Sequence, residues 1–143
     1  MKITEDRMNR LDKANDLLSL IVKTDGDSRN PFFGHKEDDG RLVSGLFVIN
    51  YKNQLRYIDP YTKELISVHP RSKEIHRKCS EGGTGQAIIQ QLGRFIMHGK
   101  QGHLNDYKEV WGWDFESTMR IREKAKEIGF IDRTDYSHKR WGD

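Results

Sequence analysis

The spacing of the apolar residues changes period twice along this chain, and that constrains the fold more than any single motif. From Thr4 to about Lys23 the apolar residues Met8, Leu11, Ala14, Leu17, Leu18, Ile21 and Val22 recur at helical spacing. Thr4 can cap that helix, and Glu5 and Asp6 lie in its first turn, where the helix dipole favours acids. From Leu42 to His69 the pattern becomes alternating. Phe47, Ile49 and Tyr51 interleave with Leu46, Val48 and Asn50, which is strand character. From Thr84 onward the helical spacing returns. The expected fold is therefore α+β: an N-terminal helix, a small antiparallel three-stranded sheet, then helices.

The strands are separated by turn chemistry. Lys52-Asn53 turns the chain after Tyr51, Leu55–Ile58 makes a second strand, and Asp59-Pro60-Tyr61-Thr62 is a turn with proline preset at its second position. Leu65–His69 makes a third strand before Pro70. Three strands at this spacing form a meander whose apolar face the flanking helices can cover. Phe32 and Phe33 either begin a short strand or plug the core, and Lys36–Gly40 is a charged turn.

A helix then starts at Thr84 as N-cap, buries Ile88, Ile89, Leu92, Phe95 and Ile96, and stops at Gly99. Asp114 caps a last helix with Phe115, Thr118, Ile121, Ala125 and Ile128 on its inner face, and Gly129 ends it. Glu109-Val110-Trp111-Gly112-Trp113 before this helix and Gly129-Phe130-Ile131 after it resemble the middle of a winged-helix or helix-turn-helix domain. The resemblance implies an outward face of Glu116, Ser117, Arg120, Glu123, Lys124 and Glu127, with Ser117, Arg120 and Lys124 as candidate DNA contacts. On that reading the polar tail from Asp132 to Asp143 would fold as a wing hairpin, and otherwise it would trail loosely. Between Asp114 and Ile128, however, acids (Asp114, Glu116, Glu123, Glu127) equal bases (Arg120, Arg122, Lys124, Lys126). Acids facing phosphates weaken DNA binding, so an ordinary solvated amphipathic helix is the competing reading.

The chain's 143 residues suit one domain, with 1–79 forming the helix-plus-sheet part and 80–143 the helical part. The net charge of +3 arises entirely in the first part and is too mild for a dedicated nucleic-acid coat. The lone Cys79 excludes an internal disulfide and fits a reducing cytoplasm. No apolar run reaches the roughly 20 residues of a membrane helix, and Met1–Arg10 is too polar for a signal peptide.

Chemistry-bearing patterns are sparse. None of the six histidines forms a pair at helical metal-site spacing, so neither a metal nor a cofactor is expected. Ser80-Glu81-Gly82-Gly83-Thr84-Gly85 opens a helix but lacks the Gly-Lys-Ser/Thr of a nucleotide loop. Lys78 and Arg77 beside Cys79 would favour a thiolate. His76, the nearest histidine to Cys79 in the chain, makes a nucleophile pair conceivable, and a strand-two to strand-three hairpin would bring His69 towards Asp59, the neighbourhood on which an enzyme could be built. The expectation is that the protein is not an enzyme and has no catalytic residues.

Binding features are richer. Arg71–Lys78 carries four bases (Arg71, Lys73, Arg77, Lys78) and one acid, and reads either as a phosphate-contacting strand or loop or as a solvated connection. Tyr51, Tyr57 and Tyr61 interleave with Lys52, Arg56 and Lys63, either as partner-binding aromatics or as core edges. The candidate partner surface is therefore Tyr51, Arg56, Tyr57, Tyr61, Arg71, Lys73, Arg77 and Lys78.

Leu46–Pro70, with Ile58-Asp59-Pro60-Tyr61-Thr62, His69, Gly82-Gly83-Thr84 and a later Trp111-Gly112-Trp113, is similar to a group of small accessory proteins carried by phages and plasmids. That resemblance implies a mobile-element origin and action by binding. The partner would be a host protein or protein–nucleic acid complex, as for an inhibitor of a host defence complex of the anti-CRISPR or anti-restriction type. Binding to duplex DNA as a regulator is the alternative.

Overall fold

A computed structural model describes residues 4–26, 31–102 and 114–131. Helix α1, Glu5–Thr24, is the element on which the others pack. Thr4 caps it, its hydroxyl oxygen accepting from Arg7 N. Leu11, Ala14, Leu17, Leu18, Ile21 and Val22 are buried along one stripe, whereas Met8, expected inside, is 38% exposed because it lies a turn before the packed part.

Five strands follow: β1 (Gly34–Lys36), β2 (Leu42–Ser44), β3 (Leu46–Ile49), β4 (Leu55–Ile58) and β5 (Leu65–Ser67). They form two antiparallel sheets, β1-β2 and β3-β4-β5. The three-stranded meander was expected. The single strand expected from Leu42 to Tyr51 is instead broken at Gly45, and the reason is steric. A Cβ on Gly45 would lie 1.9 Å from Tyr57 Oη, so only glycine lets the chain pass over that buried ring. Gly45 N donates to Phe33 O, which ties the break to the segment before β1. Phe33 is fully buried, and its backbone is left-handed at φ 61, a conformation that bulky residues avoid.

Both edges of the larger sheet are closed by side chains. The Asn15 amide group, on α1, pairs with β3 in both directions. Its Nδ2 donates to Phe47 O at 3.0 Å and its Oδ1 accepts from Phe47 N at 2.8 Å, so one side chain imitates a neighbouring strand. At the other edge Glu74 Oε1 accepts from Ser67 N on β5. Asn15→Ala leaves both groups of Phe47 without partners. It is expected to lower stability by about 2 kcal/mol in urea unfolding, where a loss below about 0.5 kcal/mol would show the pairing to be dispensable.

Glu74 opens α2 (Glu74–Lys78), a helix where the sequence indicated a strand or loop. Pro70 stops β5, Ser72 Oγ accepts from Glu74 N to start the turn, and Ile75 is buried, anchoring the helix along the sheet edge. Helix α3 (Gly83–His98) begins two residues earlier than expected. Its N-cap is Gly82, whose carbonyl accepts from Gln86 N, and Thr84 lies inside the helix and exposed. Ile88, Ile89, Leu92, Phe95 and Ile96 are buried as the spacing predicts, and Gly99 ends the helix in the left-handed conformation.

Helix α4 (Phe115–Glu127) is capped by Asp114, whose carboxylate accepts from Ser117 N at 2.7 Å. Its inner stripe holds Thr118, Ile121, Ala125 and Ile128 as expected, but both flanks differ. Ser117, expected outside, is buried on one side, Arg122 is buried on the other, and Phe115 is 55% exposed just beyond Arg122. α1 covers more of this helix than a narrow stripe would need. Phe130 then packs edge-on against Phe95, with ring centroids 5.5 Å apart.

Candidate functional site

The motif around Asp59 becomes a structural knot. Asp59 follows β4 and is fully buried. Its Oδ1 accepts from Tyr61 N, Thr62 N and Ser80 Oγ, and its Oδ2 accepts from Ser80 N at 2.7 Å. One carboxylate thus shapes the β4–β5 turn and staples it to the segment that leads into α3. Next to it Glu81 Oε1 accepts from Phe33 N. Burial pushes the Glu81 carboxyl above its ordinary value, and Asp59 and Asp25 push in the same direction.

Cys79 lies in this acidic surrounding, which outweighs the pull of Arg77 and Lys78 towards a thiolate and leaves the reading of a passive cysteine. Burial pushes its thiol up to about 11, with Asp59 and Glu81 adding to the effect, so it is neutral at physiological pH. The neighbouring His76 is bonded to Gln86 instead, Nδ1 to Oε1 at 2.9 Å. The His69–Asp59 pair does not form. Arg56 faces Ser67 across the hairpin and Ile58 faces Leu65, so Asp59 and His69 belong to opposite ends of it. His69 Nδ1 accepts from Arg71 N.

The tyrosines separate as well. Tyr57 faces inward and is fully buried, so it cannot touch a partner; its hydroxyl has no hydrogen-bond partner among the described residues. Burial holds its phenol well above the usual value. Tyr51 is 84% exposed in the β3–β4 turn, with Lys52 Nζ 5.7 Å above its ring. Tyr61 is 62% exposed at the other end, edge-on to His35 at 4.8 Å.

The basic residues lie between these two ends. α2 runs along the edge of β5, from the His69 end of the hairpin to the Ser80–Asp59 staple. Arg71, Lys73, Arg77 and Lys78 are all exposed. Lys78 pairs with Glu74 at 3.4 Å, while Arg71, Lys73 and Arg77 have no acidic partner among the described residues. Arg56 is half-buried, and its guanidinium donates only to neutral oxygens, Leu55 O and Gln54 Oε1.

A pocket of about 340 Å³ opens between the hairpin and α3. Arg56, His69, Arg94 and His98 contribute to its lining, as does Ser67; no carboxylate does among the described residues. Leu55, Val68, Gly93 and Met97 supply an apolar part. The sequence gives no sign of this site, because the basic side chains that line it come from segments far apart in the chain.

Of the candidate DNA contacts, Ser117 is buried, and Arg120 and Lys124 flank a shallow groove with Leu20 and Met119 that Glu123 and Glu127 also line. The Trp111-Gly112-Trp113 turn and the proposed wing lie outside the described residues. No described helix is long and apolar enough to cross a membrane.

A model of the YoqU family matches residues 4–142. The SPbeta prophage-derived uncharacterized protein YoqU of Bacillus subtilis (strain 168) is 32% identical over 134 residues, covering 94% of this chain and 91% of that protein. No solved structure matches significantly.

Proposed function

The chain belongs to the YoqU family, and from that premise we propose that it is a phage accessory protein that acts by binding a macromolecular partner. The partner is a host protein or protein–nucleic acid complex with an acidic surface, and the binding inhibits it, as for a defence complex. The observation that carries this reading is α2 with its approach. Arg71, Lys73 and Arg77 stand exposed along one sheet edge with no acidic partner among the described residues, while the buried Ile75 and the Glu74–Ser67 bond fix the helix to the sheet. Unpaired exposed cations contribute little to folding but steer and orient an acidic partner. Tyr51, exposed in the β3–β4 turn at the His69 end of the hairpin, offers an aromatic contact at that end of the sheet. The inner face of that helix and the Asp59 knot are committed to the fold, and Cys79 is held as a neutral thiol, so the reading is one of binding rather than catalysis.

The test is affinity capture from host lysate, with and without nuclease, using the native protein and a triple variant, Arg71→Glu, Lys73→Glu, Arg77→Glu. All three side chains are exposed, so the variant should fold. A specific partner should be recovered by the native protein and reduced at least about tenfold by the variant, in line with removal of several steering charges. Undiminished capture by the variant would refute the assigned face. Recovery of nuclease-sensitive DNA that instead depends on Arg120 and Lys124 would move the function to α4.

A further inference from the structure

No residue of α2 lines the pocket between the hairpin and α3, although the pocket's rim at residues 53–54 and 69–70 adjoins the proposed partner face, and its chemistry is that of a small-ligand site. We propose that it binds a nucleoside phosphate, with the phosphate held by Arg94, His98 and His69 and the base lying against Leu55, Val68 and Met97. Its volume of about 340 Å³ falls at the lower end of the ~300–1,000 Å³ typical of small-molecule sites, which suits one nucleotide rather than a larger cofactor.

Two features make the pocket anion-selective. Arg94 and His98 stand one helical turn apart on α3, so they present their N–H donors on one side, and His69 comes from the facing hairpin. The end of α3 would ordinarily repel an anion, since its last carbonyls carry partial negative charge. Here those carbonyls are occupied. Arg10 Nε donates to Ile96 O at 3.0 Å and Arg7 Nη2 donates to Met97 O at 3.1 Å. Two cations from α1 therefore screen the helix end and add to the positive field of the pocket.

The apolar part argues for more than a bare phosphate. Gly93 is buried on the α3 wall, and a Cβ there would sit 3.4 Å from Val68 Cγ2 and 3.5 Å from Leu55 Cδ2. That is ordinary contact distance, so α3 packs closely on the hairpin at Gly93, and the room for a base is the apolar part of the pocket itself, lined by Leu55, Val68 and Met97. A site for inorganic phosphate alone would have no use for it.

Titration calorimetry of the whole chain with AMP, GMP, CMP, UMP and inorganic phosphate tests this. At least one nucleotide should bind saturably and about tenfold or more tightly than phosphate. Arg94→Ala should weaken that binding about tenfold or more, as expected for loss of a charged hydrogen bond. Arg94 is exposed, so the variant should fold. The triple α2 variant should bind the nucleotide unchanged, which separates this site from the macromolecular face. Failure of all four nucleotides to bind, binding no tighter than phosphate, or binding unaffected by Arg94→Ala would overturn the proposal.

Discussion

Asp59→Ala is expected to lower the stability of the fold by about 3 kcal/mol or more in urea denaturation. The carboxylate is fully buried and accepts from three backbone amides, of Tyr61, Thr62 and Ser80, as well as from the Ser80 hydroxyl. Alanine removes all four acceptor contacts at once, and water can reach only the part of the turn that is exposed. The β4–β5 turn and the start of α3 would then lose their common anchor. Ser80→Ala removes only the hydroxyl contact and should cost about 1 kcal/mol. If Asp59→Ala shifted stability by less than about 1 kcal/mol, the carboxylate would have some purpose other than holding the fold, and the non-catalytic reading of this motif would need revision.

Gly45→Ala should be comparably severe, at about 3 kcal/mol, through overpacking rather than lost bonds. The added methyl would lie 1.9 Å from Tyr57 Oη, 2.5 Å from Cζ and 2.8 Å from Cε1, and Tyr57 is fully buried with nowhere to retreat. Tyr57→Phe is the informative companion. It deletes a buried hydroxyl that has no partner among the described residues, so by itself it should leave stability unchanged or raise it. It should not rescue Gly45→Ala, because ring carbons remain within 3 Å of the methyl. Full rescue would show that the hydroxyl alone enforces glycine at this position.

These two sites mark the limit of what the amino-acid order reveals. The caps at Thr4 and Asp114, the stripes of α1 and α3, the stop at Gly99 and the three-stranded meander all follow from local rules, and all are present. The departures arise where a distant residue decides. Gly45 breaks a strand because of Tyr57, and nothing near position 45 signals it. Asn15 closes the β3 edge from a helix, where asparagine otherwise reads as a surface residue. Glu74 turns a basic stretch into a helix by reaching back to Ser67. Cys79 has two cations beside it in the chain but acids around it in space, so its thiol is raised, not lowered.

The candidate site was half legible. Arg71, Lys73, Arg77 and Lys78 were identifiable as a basic run, and they are exposed together. Tyr51, Tyr57 and Tyr61 were not separable, because an alternating pattern does not say which register faces the core. The fold distributes them to one turn, the interior and the opposite turn. The pocket was invisible, since Arg56, His69, Arg94 and His98 meet only when the hairpin packs on α3.

The central claim is that the edge formed by α2 and the neighbouring turn is where this protein meets its partner. Hydrogen-exchange mass spectrometry of the isolated complex tests it directly. The account predicts new protection over residues 50–54 and 69–78, with α4 exchanging as it does in the free protein. Protection confined to residues 115–127, with 69–78 unchanged, would contradict it and place the contact on the Arg120–Lys124 face instead.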